Sequence, residues 1–160
     1  MGLECHHPEG PRPGLSGQAL AAALGAAETR CALAHERLTA PRRRVLELLL
    51  SADGPMKAYD LIAAFAPDGA PAKPPTIYRA LEFLERLGFA HRIESLNAYV
   101  PCKSGQRAHR AAFMICDCCG AAREFEPDFT AQLNAAQAAG FEIEAMTFEA
   151  HGLCGACRGA

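Results

Sequence analysis

This sequence has no surplus of charge. It carries 16 Lys+Arg against 18 Asp+Glu, a net charge of -2, so bulk electrostatics gives it no pull toward nucleic acid. Any DNA contact has to come from local placement of cations. Residues 1–101 are balanced at 11 basic and 11 acidic, and the deficit falls in residues 102–160 with 5 and 7. Long apolar runs are also missing. The longest, Ala19 to Ala27, is interrupted by Gly25 and is too short to cross a bilayer. The start, Met1-Gly2-Leu3-Glu4-Cys5, has no basic segment leading into an apolar one and does not read as a secretory signal. His6 stands where a myristoylation signal needs Ser or Thr. There is no internal repeat. These absences argue for a cytoplasmic protein with no membrane partner.

What is present fits a globular chain. Half of the 160 residues are hydrophobic, enough for a buried core in one large domain or two small ones. Eight cysteines are many for this length. In a reducing compartment they are better read as metal ligands or redox groups than as structural disulfides.

Residues 1–14 are rich in Pro and Gly without apolar periodicity and read as a disordered tail. The trio Cys5-His6-His7 within it is a weak metal candidate. Leu20, Leu24, Ala27, Cys31, Ala34 and Leu38 recur on one helical face, with Cys31 a core residue. Thr39 and Pro41 start a second helix with its body at Val45 to Leu50, which Gly54-Pro55 ends. A third helix spans Ala58 to Phe65, followed by a Pro/Gly/Ala-rich loop from Pro67 to Pro74. After Pro74-Pro75 a fourth helix turns Ile77, Leu81, Leu84 and Leu87 inward and leaves Thr76, Tyr78, Arg79, Glu82 and Arg86 outside, until Gly88 stops it. Phe89–Glu94 and Ala98–Val100 form a hairpin around Ser95-Leu96-Asn97. This element order is that of a winged helix-turn-helix. The second half reads as an α+β unit of about 50 residues, small enough to want a staple or a partner. Its elements are strands at Ala112–Ile115 and Ala121–Phe125, a helix capped by Asp128 and ended by Gly140, and an alternating strand at Phe141–Ala145.

Two constellations carry chemistry. Cys116-x-x-Cys119-Gly120 and Cys154-x-x-Cys157 offer four thiolates for a closed tetrahedral zinc site, with Zn–S near 2.3 Å. A thioredoxin-like redox motif would need a strand leading into a helix, which flanks neither pair. Cys118, inside the first pair, is a spare thiol, a competing ligand, or a disulfide former if zinc is lost. The second set is His91, Cys102, His109 and Glu124. Two imidazoles, a thiolate and a carboxylate suit tetrahedral zinc, and the thiolate disfavours magnesium, calcium and manganese. These residues come from both halves, so a metal bound by them would fix the angle between the halves. From spacing alone, a lone His is as readily an ordinary surface or core residue. A catalytic zinc keeps an open position, four protein ligands leave none, and no nucleophile–base set stands out, so an enzyme is not expected.

The residues then become recognisable. Lys73-Pro-Pro-Thr-Ile-Tyr-Arg-Ala-Leu-Glu-Phe-Leu84 resembles the recognition helix of the ferric-uptake-regulator family of metalloregulators. Phe89-Ala-His-Arg-Ile-Glu-Ser95, Asn97-Ala-Tyr-Val-Pro-Cys102, Phe113-Met-Ile-Cys-Asp-Cys-Cys-Gly120 and Glu149-Ala-His-Gly-Leu-Cys154 resemble its zinc-uptake-regulator branch. The resemblance runs from about Leu15 to Arg158. It implies a winged-helix DNA-binding domain over residues 15–101, a hinge over 102–112, and a dimerisation and zinc-binding domain over 113–160. It further implies a structural zinc on Cys116, Cys119, Cys154 and Cys157 and a regulatory zinc on His91, Cys102, His109 and Glu124. The implied function is a zinc-responsive homodimeric repressor that binds a palindromic operator and controls zinc uptake and homeostasis genes. A regulator responding to iron, manganese or peroxide is the alternative within the family.

Departures from the family pattern are visible. The usual Leu-Thr-Pro-Gln-Arg is here Leu38-Thr-Ala-Pro-Arg42, which unsettles any role for Arg42 or Arg43. The loop from Gln106 to Ala112 has one His instead of the His-rich run of the iron branch, which favours zinc. Cys118 replaces a polar or basic residue. The sequence has no His/Cys-rich extension before Ala160, leaving His151 as the one candidate for a third metal site. For DNA, Arg79 can pair with guanine O6/N7 and Tyr78 can touch thymine methyls or a phosphate. Thr76 shares their exposed helix face, and the resemblance adds Tyr59 and Lys73. Arg42-Arg43-Arg44 is either a set of phosphate contacts or a charged helix face.

Overall fold

The computed structural model describes residues 13–66, 72–102, 111–143 and 148–158. The Cys5-His6-His7 trio, most of the expected tail, most of the loop after Phe65, His109 with most of the expected hinge, and Ala145 lie outside the described residues.

The first half is built from α1 (Gly17–Leu33), α2 (Ala40–Ser51), β1 (Met56–Lys57), α3 (Ala58–Ala64), α4 (Pro74–Arg86), β2 (Ala90–Ile93) and β3 (Ala98–Pro101). The periodic face from Leu20 to Leu38 does not make one continuous helix. α1 ends at Leu33, and His35, at φ 55, turns the chain. Leu38 still packs on the core from the connecting segment, so apolar spacing marked burial there without marking helix. Pro41 sits in the first turn of α2 and Pro74-Pro75 in that of α4, where the fixed φ of proline is already helical. Gly88, at φ 67, ends α4, and the Phe89 N–H returns to the Leu84 carbonyl at 2.8 Å. Val45, Leu61, Ile77 and Leu84 are fully buried at the centre of this core. The expected hairpin is present, with Asn97 at φ 47 in its turn. It also gains β1, giving a three-stranded sheet of order β1-β3-β2. Two residues between a Gly-Pro turn and a helix carry too little pattern to reveal such a strand. The chain is held from Gly14 onward: its N–H donates to Asp53 Oδ1 at 3.1 Å, and a Cβ there would lie 2.1 Å from the Ser51 carbonyl.

The second half contains β4 (Ala112–Cys116), β5 (Ala122–Phe125), α5 (Thr130–Ala138), β6 (Phe148–Gly152) and a final turn of helix, α6 (Gly155–Arg158). The sheet order is β5-β4-β6, with β5 antiparallel and β6 parallel to β4. The alternating strand expected at Phe141–Ala145 is not formed at residues 141–143. Phe141 is 73% exposed, and the strand that pairs with β4 starts at Phe148. The Phe/Ile alternation there marks apolar residues that this chain alone does not bury. The helix starts one residue later than Asp128 predicts, with Phe129 at its N-cap; Asp128 stands just before it, its carboxylate accepting from the Thr130 N–H at 2.9 Å.

The pairing register decides what each face of this sheet carries. Paired residues share a face, so Phe113 lies in one row with Glu124 of β5 and Glu149 of β6, and Ile115 in another with His151. A second small core forms on this face from Ile93, Phe113 and Ile115, with Leu96, Val100, Ala111 and Ala122 against it. It is how the β2–β3 hairpin rests on the second sheet. The opposite face carries Phe125 and Phe148, edge to face at 5.9 Å, together with Met114. Phe148 and Met114 remain 41% and 44% exposed, and α5 buries no residue fully.

Candidate metal centres and nucleic-acid interface

Among the described residues, two groups of three or more ligating side chains converge. The first is Cys116, Cys119, Cys154 and Cys157, with all four sulfurs within 4.8 Å of one another. Cys116 ends β4. The chain reverses through Cys119 and Gly120, at φ 71, where the Gly120 N–H bonds to the Cys116 carbonyl at 2.9 Å. Cys154 follows β6 and Cys157 lies in α6, buried, so a strand does lead into a short helix at this pair, contrary to the sequence expectation; the convergence of its sulfurs with those of Cys116 and Cys119 still favours a metal. The Cys119 and Cys154 sulfurs are 3.9 Å apart, and the Cys154 N–H points to the Cys116 sulfur at 3.3 Å. Backbone N–H groups of Cys119 and Cys154 lower the Cys116 pKa to about 6. Burial, followed by the neighbouring sulfurs, pushes Cys157 up. Without a cation, one thiolate is stabilised at the expense of the others; a divalent soft-ligand metal removes that conflict by holding all four deprotonated. The donor set therefore fits zinc. Cys118 contributes no atom to the cluster.

The second group is His91, Cys102 and Glu124, again within 4.8 Å. β2 supplies His91, and β5 supplies Glu124 from the other sheet. Cys102 follows β3 and is tied down by its N–H to the Phe89 carbonyl at 2.9 Å. His91 Nε2 lies 3.3 Å from Glu124 Oε1, with side-chain exposures of 16% and 6%. The His91 ring tilts against Phe113, centroids 5.9 Å apart. Burial lowers the His91 pKa, but hydrogen bonds donated by its ring to Cys102 and Glu124, and the charges of those groups, outweigh it and raise the pKa to about 9. One nitrogen, one sulfur and one carboxylate oxygen thus face one point from two sheets, three donors of the four that tetrahedral zinc takes. His109, the fourth expected member, lies outside the described residues.

His151 belongs to neither group. Its Nδ1 is 2.9 Å from Asp117 Oδ1 and its Nε2 3.8 Å from Glu149 Oε2, so its two nitrogens face two different carboxylates.

Of the expected DNA residues, Tyr59 and Tyr78 are 78% and 54% exposed, and Lys73 and Arg79 are exposed at the start of α4. Thr76 is half-buried in its first turn. Exposed tyrosines and cations on α3 and at the start of α4 are of the types that make phosphate and groove contacts. Arg42, Arg43 and Arg44 have internal partners. Arg42 lies 3.6 Å over the Phe83 ring and donates to the Arg37 carbonyl. Arg43 pairs with Glu28 at 2.9 Å. Arg44 holds the Phe65 and Ala64 carbonyls at the end of α3 at 2.8 and 3.1 Å. No helix among the described residues is long and apolar enough to cross a membrane.

A winged helix-turn-helix joined to a second sheet by one mixed metal-ligand cluster, with a four-cysteine cluster inside that second unit, defines a metal-dependent DNA-binding regulator. The pattern of the Ferric uptake regulator family matches residues 34–151, and the chain belongs to that family. It is a regulator and not an enzyme. It is 44% identical over 137 residues to the zinc uptake regulation protein of Escherichia coli K12, covering 84% of this chain and 80% of the relative. Among solved structures, it is similar to a zinc uptake regulator complexed with zinc and DNA (40% identity, TM-score 0.83, 89% of this chain and 97% of the other). It is also similar to holo XcZur (42% identity, TM-score 0.76, 86% and 97%).

Proposed function

We propose that this chain is a zinc-responsive DNA-binding repressor of zinc uptake and homeostasis genes, working as a cytoplasmic homodimer on a palindromic operator. The observation that carries the reading is the mixed site. His91 and Cys102 come from the hairpin half and Glu124 from the other sheet, so filling the site selects one angle between the halves. A ligand shifts a conformational equilibrium only by its preference for one state, and ligands spanning a joint give that preference directly.

In this reading residues 15–101 are the DNA-binding domain, 102–112 the hinge and 113–160 the dimerisation domain. Each subunit holds two zinc ions. Cys116, Cys119, Cys154 and Cys157 hold the structural one, while His91, Cys102, Glu124 and His109 hold the regulatory one. Zinc supplies a fixed tetrahedral charge that clamps its ligands. The exposed Phe148 and Met114 of the sheet face opposite the hairpin support pairing with a second copy. Tyr59, Lys73, Thr76, Tyr78 and Arg79 serve the DNA. The similarity to a zinc- and DNA-bound regulator supports zinc as the metal, as does the sulfur of Cys102, a donor that iron(II) or manganese(II) sites use less readily.

The test begins by selecting bound duplexes from a random pool with the full-length chain. Affinity for the selected duplex is then measured with zinc, iron(II) or manganese(II) added to protein carrying only its tightly held metal. Zinc should raise the affinity most. Equal affinity with and without zinc ends the sensor reading, and a preference for iron or manganese moves the chain to another branch of the family. Cys102→Ser should abolish the zinc response and leave one tightly held zinc per chain.

A further inference from the structure

Glu149 is used by neither metal cluster. Through it, β6 nonetheless touches the other half of the molecule. Its Oε1 accepts from the Glu94 N–H at 2.6 Å and its Oε2 from the Ser95 N–H at 3.1 Å, the two residues that follow β2 in the hairpin turn. Its side chain is 10% exposed. Burial raises its pKa, yet the Ser95 hydroxyl and the backbone N–H groups of Ser95 and Glu94 outweigh burial and leave it lowered, so it stays ionised. A partly buried carboxylate accepting from two backbone N–H groups is a charge-assisted contact, stronger than a neutral hydrogen bond.

Its position in the sheet gives the contact its meaning. Glu124, Phe113 and Glu149 stand in one row across β5, β4 and β6. The hairpin crosses that row with His91 at Glu124, Ile93 against Phe113, and Glu94-Ser95 at Glu149. One carboxylate fastens each end of the hairpin and an apolar contact lies between them. Behind Glu149, His151 bridges toward Asp117 at 2.9 Å, and the Asp117 N–H donates to the Gly152 carbonyl at 2.8 Å. Asp117 lies within the Cys116–Cys119 turn, so this polar line ties the hairpin turn to the four-cysteine cluster.

We propose that Glu149 is a positioning residue, a latch that holds the wing turn against the second sheet, and that closing it and filling the mixed metal site are one and the same docking motion. This rests on the zinc-sensor reading of that site. Both fasteners act on one short hairpin, so each helps the other by the same factor.

The test uses the full-length chain, with Glu149→Ala and Glu149→Gln as variants; glutamine keeps one acceptor oxygen and the side-chain length. Three quantities are read. These are tightly held zinc per chain, affinity for the exchangeable zinc by competition with a chromophoric chelator, and hydrogen exchange at the Glu94 and Ser95 amides. The alanine variant should keep its tightly held zinc, lose protection at both amides, and bind the exchangeable zinc about tenfold more weakly. The glutamine variant should recover part of both losses; it carries the test alone should the alanine variant not fold. Unchanged protection overturns the latch. Lost protection with unchanged zinc affinity reduces Glu149 to a turn cap and overturns the coupling. A wild-type chain that takes up only the tightly held zinc overturns the sensor reading and the coupling with it. If wild type takes up a second zinc and the alanine variant does so equally well, the coupling alone is overturned.

Discussion

Replacing Ile93 with alanine probes the joint between the two halves more directly than any metal ligand does. Ile93 has no exposed surface, and its side chain belongs to the small core with Phe113 and Ile115 rather than to the large one of the helices. The substitution removes three methyl or methylene groups, worth about 0.8 kcal/mol each, or about 2.4 kcal/mol in transfer alone. A residual cavity adds to this, and Ile→Ala costs of about 2–5 kcal/mol are usual. A three-residue core can close partly around the gap, so the lower end applies. About 2.5 kcal/mol on the docked state, at 1.4 kcal/mol per tenfold, caps the loss in apparent zinc affinity near 60-fold. The full factor appears when the zinc-free chain is mostly undocked, because binding then has to supply the docking.

The assay is chelator competition at the exchangeable site alongside thermal unfolding, with Leu61→Ala as control. Leu61 is equally buried but lies in the helical core. It should lower the unfolding midpoint and leave zinc affinity within about twofold, whereas Ile93→Ala should weaken zinc at least tenfold, a difference of about 1.4 kcal/mol. Should the two variants lower the midpoint alike and leave zinc binding alike, the small core is part of the wing's own fold and not the joint.

Arg79→Ala should weaken binding to the selected duplex by about 1–3 kcal/mol and relax preference at one base position if the guanidinium pairs with guanine; a uniform loss across sequences would make Arg79 a phosphate contact instead. Arg44→Ala should cost about 1 kcal/mol of stability by urea unfolding, through the lost Phe65 and Ala64 carbonyl contacts. It should leave the salt dependence of DNA binding unchanged, and a shallower dependence would return Arg44 to the phosphates. Glu149 is flanked by His151 on its own strand and by Glu94 and Ser95 of the wing, with Asp117 beyond His151. Its folded-state pKa is depressed from 4.5, so its contribution is fully present above that value and is lost as pH falls through the folded pKa. The difference in urea midpoint between wild type and Glu149→Gln should therefore be constant at neutral pH and shrink below about 4.5; a difference that grows on acidification contradicts the depressed pKa.

Much of the helical half was legible because helix chemistry is local. Pro74-Pro75, the spacing of Ile77, Leu81 and Leu84, and Gly88 each act within a few residues of their own position. The cysteine pairs were legible for a different reason: a ligand set is constrained by chemical type as well as by spacing. What escaped notice depends on pairing. β1 is a strand because β3 accepts it. β6 is found at Phe148 and not Phe141 because β4 offers a parallel edge to that segment, and apolar alternation alone does not say which stretch takes it. Arg42 to Arg44 read as a cationic face because their partners, Phe83, Glu28 and the end of α3, are remote in sequence. Glu149 stood in a quoted motif without a role for the same reason; an acidic residue there becomes a contact only when the register places it beside Phe113.

That register explains why the four-cysteine cluster and the mixed cluster are built so near each other. A slip of one residue between β4 and β6 would move Glu149 to the face of Phe148 and Met114, away from the hairpin. Cys116 is the last residue of β4 and pairs with Gly152, the last of β6, and Cys154 lies two residues beyond. Joining Cys116 and Cys119 to Cys154 and Cys157 therefore pins the register at the very ends of the two strands. β5 is set from the same turn, since the Cys116 N–H bonds to the Ala121 carbonyl at 2.9 Å just before Glu124's strand begins. The positions of both carboxylates that meet the hairpin thus descend from one cysteine turn. A sensor that pinned its sheet with the ion it senses would lose its register whenever zinc ran low and would have to refold to respond. In the two-zinc reading proposed above, the four-thiolate site is the pin and the mixed site is the one that exchanges, so the register would persist while the mixed site empties and fills.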